Sequence, residues 1–231
     1  ERVHPEAKEP SQVLLWAGRG PGELTIADCV EARIYTFALL DGSTSDLLDA
    51  SDGLSCPTDL VLDAGGTLFY VSTDLGGGAP STVGTLELDG THDPSFAFGF
   101  PPGTTHAALA GGRLVTNAIG PGMEYGVDLY AVDAESGGAA TLLVPGSTAG
   151  PVASVGASPR GGAYVFRFGL GEILELDPAS GDLVRFGSAL LEDTLLGEGG
   201  MGAMAFSIAF QEDGTMLFAD PGQGALVLVA P

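Results

Sequence analysis

The sequence predicts an all-β chain made of five repeats of four short antiparallel strands. Three observations point there. Helical periodicity is almost absent from the 231 residues; short apolar runs are instead separated by clusters of Gly, Asp, Pro and Ser. Two kinds of tight turn recur in strict alternation along the chain. The 37 glycines fall between the apolar runs, where turns need them, and do not repeat every third residue as a collagen would require.

The first kind of turn follows a strongly apolar strand: Gly18–Gly22, Asp63–Gly66, Ala110–Gly112, Pro159–Gly162 and Gln211–Gly214. The second follows an alternating strand and opens on Asp: Asp41–Ser43, Asp89–Thr91, Asp133–Gly137 and Asp177–Gly181. Each repeat therefore reads as strand A, tight turn, strand B, loop, strand C, Asp-initiated turn, strand D. Four-stranded units at a fixed period of roughly 50 residues predict a five-bladed β-propeller. One such sheet buries neither face alone, and ranking sheets around an axis covers both.

Taken in order, repeat one opens with the inner strand Gln12–Ala17, then Leu24–Asp28 and Ala32–Phe37. Repeat two is the clearest, with Thr58–Asp63, Thr67–Ser72, Val83–Leu88 and Ser95–Phe98. Repeat three has the inner strand His106–Ala110 followed by Leu114–Asn117. Repeat four runs Val152–Ser158, Ala163–Arg167, Glu172–Leu176 and Asp182–Phe186. Repeat five supplies only Ala205–Phe210, Thr215–Asp220 and Ala225–Val229. A ring must close to remove its edges, so the N-terminal segment around Arg2–Glu6 is expected to add the missing outer strand. In the alternative, Gln12–Ala17 is that strand and repeat one lacks its inner one. The domain is thus residues 12–231, with 1–11 a polar spacer or closing strand. Ala189–Leu196 is the one candidate helix.

The formal net charge is −22, from 30 Asp plus Glu against 8 Lys plus Arg. So acidic a surface repels phosphate backbones and anionic lipid, which excludes nucleic acid as a partner. No apolar run approaches the length that spans a bilayer. The polar opening segment, with Pro5 and Pro10, reads as a spacer behind a cleaved signal or lipid anchor. The expected address is secreted, periplasmic or lipid-anchored at the cell surface. Cys29 falls in the first B–C loop and Cys56 in the next D–A connection, which share one end of neighbouring repeats. They form either a disulfide or two buried free thiols.

Some fragments also resemble a family. Leu24-Thr-Ile-Ala-Asp28 followed by Ala32-Arg-Ile-Tyr-Thr-Phe37 is similar to the repeat of NHL-type, streptogramin-lyase-like and gluconolactonase-like propellers. Leu217-Phe-Ala-Asp220 and Leu114-Val-Thr-Asn117 are similar to it in turn. The resemblance covers about a third of the chain, and such repeats carry fold rather than activity. Most members of those families have six or seven blades, against five here.

Long connections cluster on the B–C and D–A side: Thr73–Thr82, Ala118–Gly126, Val144–Gly150 and Leu190–Met204. Binding commonly resides on such loops over a rigid scaffold. The B-strand ends align as Asp28, Thr73, Asn117, Arg167 and Asp220, a candidate ligand-binding ring at the channel mouth. Asp28, Asn117 and Asp220 carry hard oxygen ligands suited to Ca²⁺, and the gluconolactonase resemblance implies a similar catalytic metal set. Arg167 would instead pair with an Asp of that ring, and an Asp ending a strand also serves as a turn cap. His106 and Glu198 are the candidate proton-transfer groups. Met201 and Met204 read as packing. Inner strands offer only Asp59 and Asp63, both in one repeat, which argues against a paired-carboxylate glycosidase.

Three readings result, the third being a fragment or a purely structural domain of a larger secreted assembly. In the first, an extracytoplasmic binding or scaffold propeller holds a sugar, peptide or protein on its loop-rich face. In the second, a calcium-dependent hydrolase or lyase works in the central channel.

Overall fold

The computed structural model describes residues 14–20, 22–74, 78–118, 126–150, 152–157, 161–167, 172–187, 208–210, 215–220 and 225–229. The chain is all-β. It divides into two compact units that meet between Thr105 and His106 in sequence.

In the first unit, β1 (Leu14–Gly20), β2 (Glu23–Asp28), β3 (Arg33–Ala38) and β4 (Thr44–Leu48) pair in sequence order. β5 (Cys56–Leu62), β6 (Leu68–Thr73), β7 (Ser81–Leu86) and β8 (His92–Phe100) follow as a second antiparallel meander. Within both meanders the described strand pairs are antiparallel, as short strands joined by tight turns require. β5 lies against β1 and β2. Between the two meanders sits one core of Ala27, Ile34, Leu48, Leu60, Leu68 and Leu86. Each large apolar side chain buried there contributes about 1.5–3 kcal/mol. Pro57 has no N–H to donate, and the ladder bulges between Pro57 and Asp59 to accommodate it. Across the β6–β7 ladder the Tyr70 ring lies over Gly84 in the space a Cβ would need.

In the second unit, β9 (Thr104–Ala110, its first two residues belonging to the first unit), β10 (Arg113–Ala118), β11 (Asp128–Asp133) and β12 (Gly137–Val144) form a meander. β13 (Val152–Ala157), β14 (Ala163–Arg167), β15 (Glu172–Leu176) and β16 (Leu183–Gly187) form a four-stranded sheet. β17 (Ile208–Phe210), β18 (Met216–Asp220) and β19 (Ala225–Val229) form a three-stranded one. The core of this unit holds Val115, Leu129, Val155, Val165, Leu174 and Leu176.

The Asp-initiated turns behave as their residue types demand. Asp41, Asp89, Asp133 and Asp177 each accept, through Oδ1, the N–H two residues on, at 2.8–3.0 Å. A nearby glycine takes the left-handed conformation that closes the turn, for example Gly42 at φ 72° and Gly90 at φ 88°. The third strand of repeat two is β7, ending at Leu86, so the expected end at Leu88 is corrected. Glu87 and Leu88 belong to the turn, because Glu87 N–H bonds to the Thr91 carbonyl. Among the described residues the last sheet has three strands. The candidate closing strand at 2–6 and the candidate helix Ala189–Leu196 lie outside the described residues. No helix among the described residues is long and apolar enough to cross a membrane.

Candidate functional site: the ends of the second strands

Four of the aligned residues end or nearly end the second strand of a sheet: Asp28 in β2, Thr73 in β6, Arg167 in β14 and Asp220 in β18. Asn117 stands one residue before the end of β10. The repeat alignment read from sequence therefore holds at the level of secondary structure. What each side chain does is local.

In the first unit, Asp28 Oδ1 accepts the N–H groups of Val30 (2.9 Å) and Glu31 (3.0 Å). The carboxylate folds the short turn into β3, where Ala32 takes φ 50°. Next to it, Cys29 and Cys56 form a disulfide with Cα atoms 4.1 Å apart, which settles the alternative that the sequence left open. Cys56 opens β5 and pairs across the ladder with Thr73. The Thr73 hydroxyl is buried and lies 2.8 Å from Ser81 Oγ, which also accepts Thr104 N–H at 3.3 Å. A covalent and hydrogen-bonded chain thus runs from the β2 turn through β5 and β6 to β7 and the start of β9. Close by, Arg33 stacks 4.4 Å over the Tyr35 ring and pairs with Glu31 and Asp46 at 3.1 and 3.5 Å. Burial pushes the Tyr35 phenol up, and Arg33 partly opposes that.

In the second unit, the buried Asn117 side chain accepts His106 N–H through Oδ1 at 2.8 Å. It ties β9 to β10. Arg167 donates through Nε to the Ala149 carbonyl (2.6 Å), through Nη2 to the Thr148 carbonyl (2.7 Å) and through Nη1 to Glu172 (3.3 Å). Arg185 reaches the other Glu172 oxygen at 3.0 Å. The partner of Arg167 is therefore a glutamate on the neighbouring β15 together with two carbonyls, where the sequence had pointed to an aspartate of the ring. Those carbonyls belong to one helical turn, Gly146–Ala149, whose first N–H is held by Asp128 Oδ1 at 2.6 Å. Gly126 and Gly146 cross backbone to backbone there, leaving no room for a Cβ on either.

The side chains also differ in the face they occupy. Asp28 follows Ala27, which packs into the first-unit core, so Asp28 faces away from that core. Thr73 likewise falls on the face of β6 opposite Leu68 and Tyr70. Asn117 shares a face with Val115, and Arg167 with Val165; both point toward the second-unit core. Asp220 ends β18, where it pairs with Ala225. Glu198, Met201 and Met204 lie outside the described residues.

Among the described residues no group of three or more His, Cys, Asp or Glu is placed to share a metal ion. Two of the oxygens expected to bind calcium, Asp28 Oδ1 and Asn117 Oδ1, already accept backbone N–H groups. Ser81, Thr104, Asp128, Glu172 and the 146–149 turn were not anticipated from sequence. Only Asp128, a polar residue opening an apolar strand, offered a signal.

No family model matches the chain, and no curated protein matches it. Solved structures do. A chain of a nidogen/laminin complex superposes with TM-score 0.68 at 12% identity, over 96% of this chain and 77% of that one. A regucalcin from Agrobacterium tumefaciens, described as a calcium-binding protein, gives 0.59 at 16%, over 94% and 71%. Virginiamycin B lyase from Staphylococcus aureus gives 0.59 at 10%, over 96% and 71%. At such identities the similarity is one of fold: the chain has a β-propeller fold like that of these structures.

Proposed function

We propose that the chain is a five-bladed propeller that works outside the cytoplasm as a binding or scaffold protein. It holds a sugar, peptide or protein ligand on the connections that follow its second strands. The observation that carries this reading is the commitment of the strand-end groups to their own chain. Asp28 Oδ1 holds two turn N–H groups, Asn117 Oδ1 holds His106, and Arg167 holds the 146–149 turn. Groups so used position loops. The disulfide supports the extracytoplasmic address, since such bonds persist in oxidising compartments. Five repeats of the turn pattern support the blade count, with residues 1–11 closing the fifth sheet.

The second reading, a calcium-dependent hydrolase or lyase using Asp28, Asn117 and Asp220, draws on the fold shared with a calcium-binding protein and with lyases. A thermal melt with millimolar CaCl₂ and with EDTA separates the two. The binding reading expects no shift. An ion at 100-fold its dissociation constant adds about 2.7 kcal/mol, a rise of roughly 5–10 °C; a rise of that size, lost in EDTA, transfers the assignment to the metal enzyme.

A further inference from the structure

At the opposite end of the first unit from the disulfide, two turns present large apolar side chains to solvent. Leu40 is 98% exposed, Leu39 45% and Leu88 68%. Leu39 and Leu40 lead into the β3–β4 turn, and Leu88 into the β7–β8 turn. Leu39 N–H bonds to the Gly22 carbonyl, which seats its turn on the β1–β2 turn. Leu88 rests on Gly66, which seats its turn on the β5–β6 turn. β5 begins beside the end of β2, through Cys56 and Cys29, so the β1–β2 and β5–β6 turns lie at the same end. The leucines therefore share one end of neighbouring meanders.

Single exposed leucines are ordinary on protein surfaces. These three differ in two respects. They stand on turns already locked by Asp41 and Asp89 through the N–H groups of Ser43 and Thr91, so little conformational entropy remains to be lost on docking. The corresponding turns of the second unit carry Ala134 and Glu135, and Pro178 and Ala179, with no large apolar side chain. Among the residues whose side chains are described, the exposed charges around the leucines are Glu23, Asp41, Glu87 and Asp89, all of one sign.

We infer that this turn end is a protein-docking surface for a basic segment bearing apolar side chains. The leucines supply the desolvated centre and the carboxylates a rim that attracts Lys or Arg. The acidic rim and the net charge of −22 disfavour an anionic membrane and a second copy of the same surface. This surface is separate from the strand-end loops, so its success or failure does not depend on what those loops bind.

The test uses the full chain and three synthetic helical peptides: Leu/Lys, Leu/Glu and Ser/Lys. Anisotropy should show micromolar binding of Leu/Lys alone, weakened at least tenfold by Leu40→Asp with Leu88→Asp. Melting temperatures within a degree or two of the parent would show the variant folded. Because both substituted side chains are exposed, Leu40→Ser with Leu88→Ser serves as a second, charge-neutral variant with the same expected loss. Four results would overturn the inference: equal binding of Ser/Lys, no loss in either variant, adsorption to phosphatidylserine vesicles in place of peptide, or a leucine-dependent dimer in sedimentation.

Discussion

The two units secure the same place in the repeat by different chemistry. In the first, the turn after β2 is bound to the start of β5 by a disulfide, and the polar strand ends Asp28 and Thr73 face away from the shared core. In the second, Asn117 and Arg167 face the shared core from either side, and Arg167 clamps the connection before β13 with two carbonyl bonds and an ion pair. One fastening is covalent and indifferent to salt. The other is a charge-assisted network in a half-buried place, and its hold on the 146–149 turn fails if Arg167 is removed. Identical repeat positions thus need not do identical work. A covalent bond frees neighbouring polar groups to cap turns, whereas its absence recruits them as fasteners.

The largest way to break this contrast is to open the disulfide. Closing a loop with a sequence separation of 27 stabilises the fold by about 3.5 kcal/mol, so Cys29→Ser with Cys56→Ser should lower the melting temperature by about 10 °C. Hydrogen exchange should quicken across β2, the following turn and β5 while β13 to β15 stay protected. Next in size, Arg167→Met keeps the aliphatic bulk but strips the Thr148 and Ala149 carbonyls of their donor and leaves Glu172 with Arg185 alone. The expected cost is about 2–3 kcal/mol, with faster exchange at Thr148, Ala149 and Gly150 and no change in the first unit. Uniform loss of protection in both variants would erase the distinction between the units.

A third test uses pH. The Tyr70 phenol, buried over Gly84, is pushed up to about 12, chiefly by burial and then by Asp93 and Asp52. A raised folded value means stability intact below pH 10 and lost as pH climbs from 10 toward 12, by up to about 2–3 kcal/mol. Tyr70 lies in the first unit, so the alkaline loss should register there first. Its buried hydroxyl has no hydrogen-bond partner among the described residues, so Tyr70→Phe should abolish the alkaline loss at little cost at neutral pH. Absorbance of phenolate against pH checks it.

The smallest effect belongs to the turns. Asp41, Asp89, Asp133 and Asp177 are each held below the ordinary carboxylate value, first by a backbone N–H. Their contribution is present above about pH 4 and declines as pH falls through the lowered values. It should register in both units alike, as faster amide exchange at Ser43, Thr91, Glu135 and Ala179 in acid.

These turns were the most legible part of the sequence, because Asp at the start and Gly near the close declare the geometry directly. The strand order followed from their alternation. The candidate ring was less legible, for a physical reason. Which face a strand-end residue takes depends on strict period-two counting within each strand and on which neighbour covers that strand. Bulges at Ala17/Gly20, Pro57/Asp59 and Val152/Ser154 break the count silently. Residue spacing located Asp28, Thr73, Asn117 and Arg167 along their strands and left their facing open. The 146–149 turn was invisible because four small residues after a proline carry no periodic signal.

The strand-end oxygens Asp28 Oδ1 and Asn117 Oδ1 hold the chain's own backbone. The direct measurement is amide NMR of Val30, Glu31 and His106 in millimolar calcium and in EDTA. Slow exchange and unchanged shifts are expected for all three in both conditions. Calcium-dependent shifts at these amides, with accelerated exchange as the carboxylate and amide oxygens turn to the ion, would contradict it.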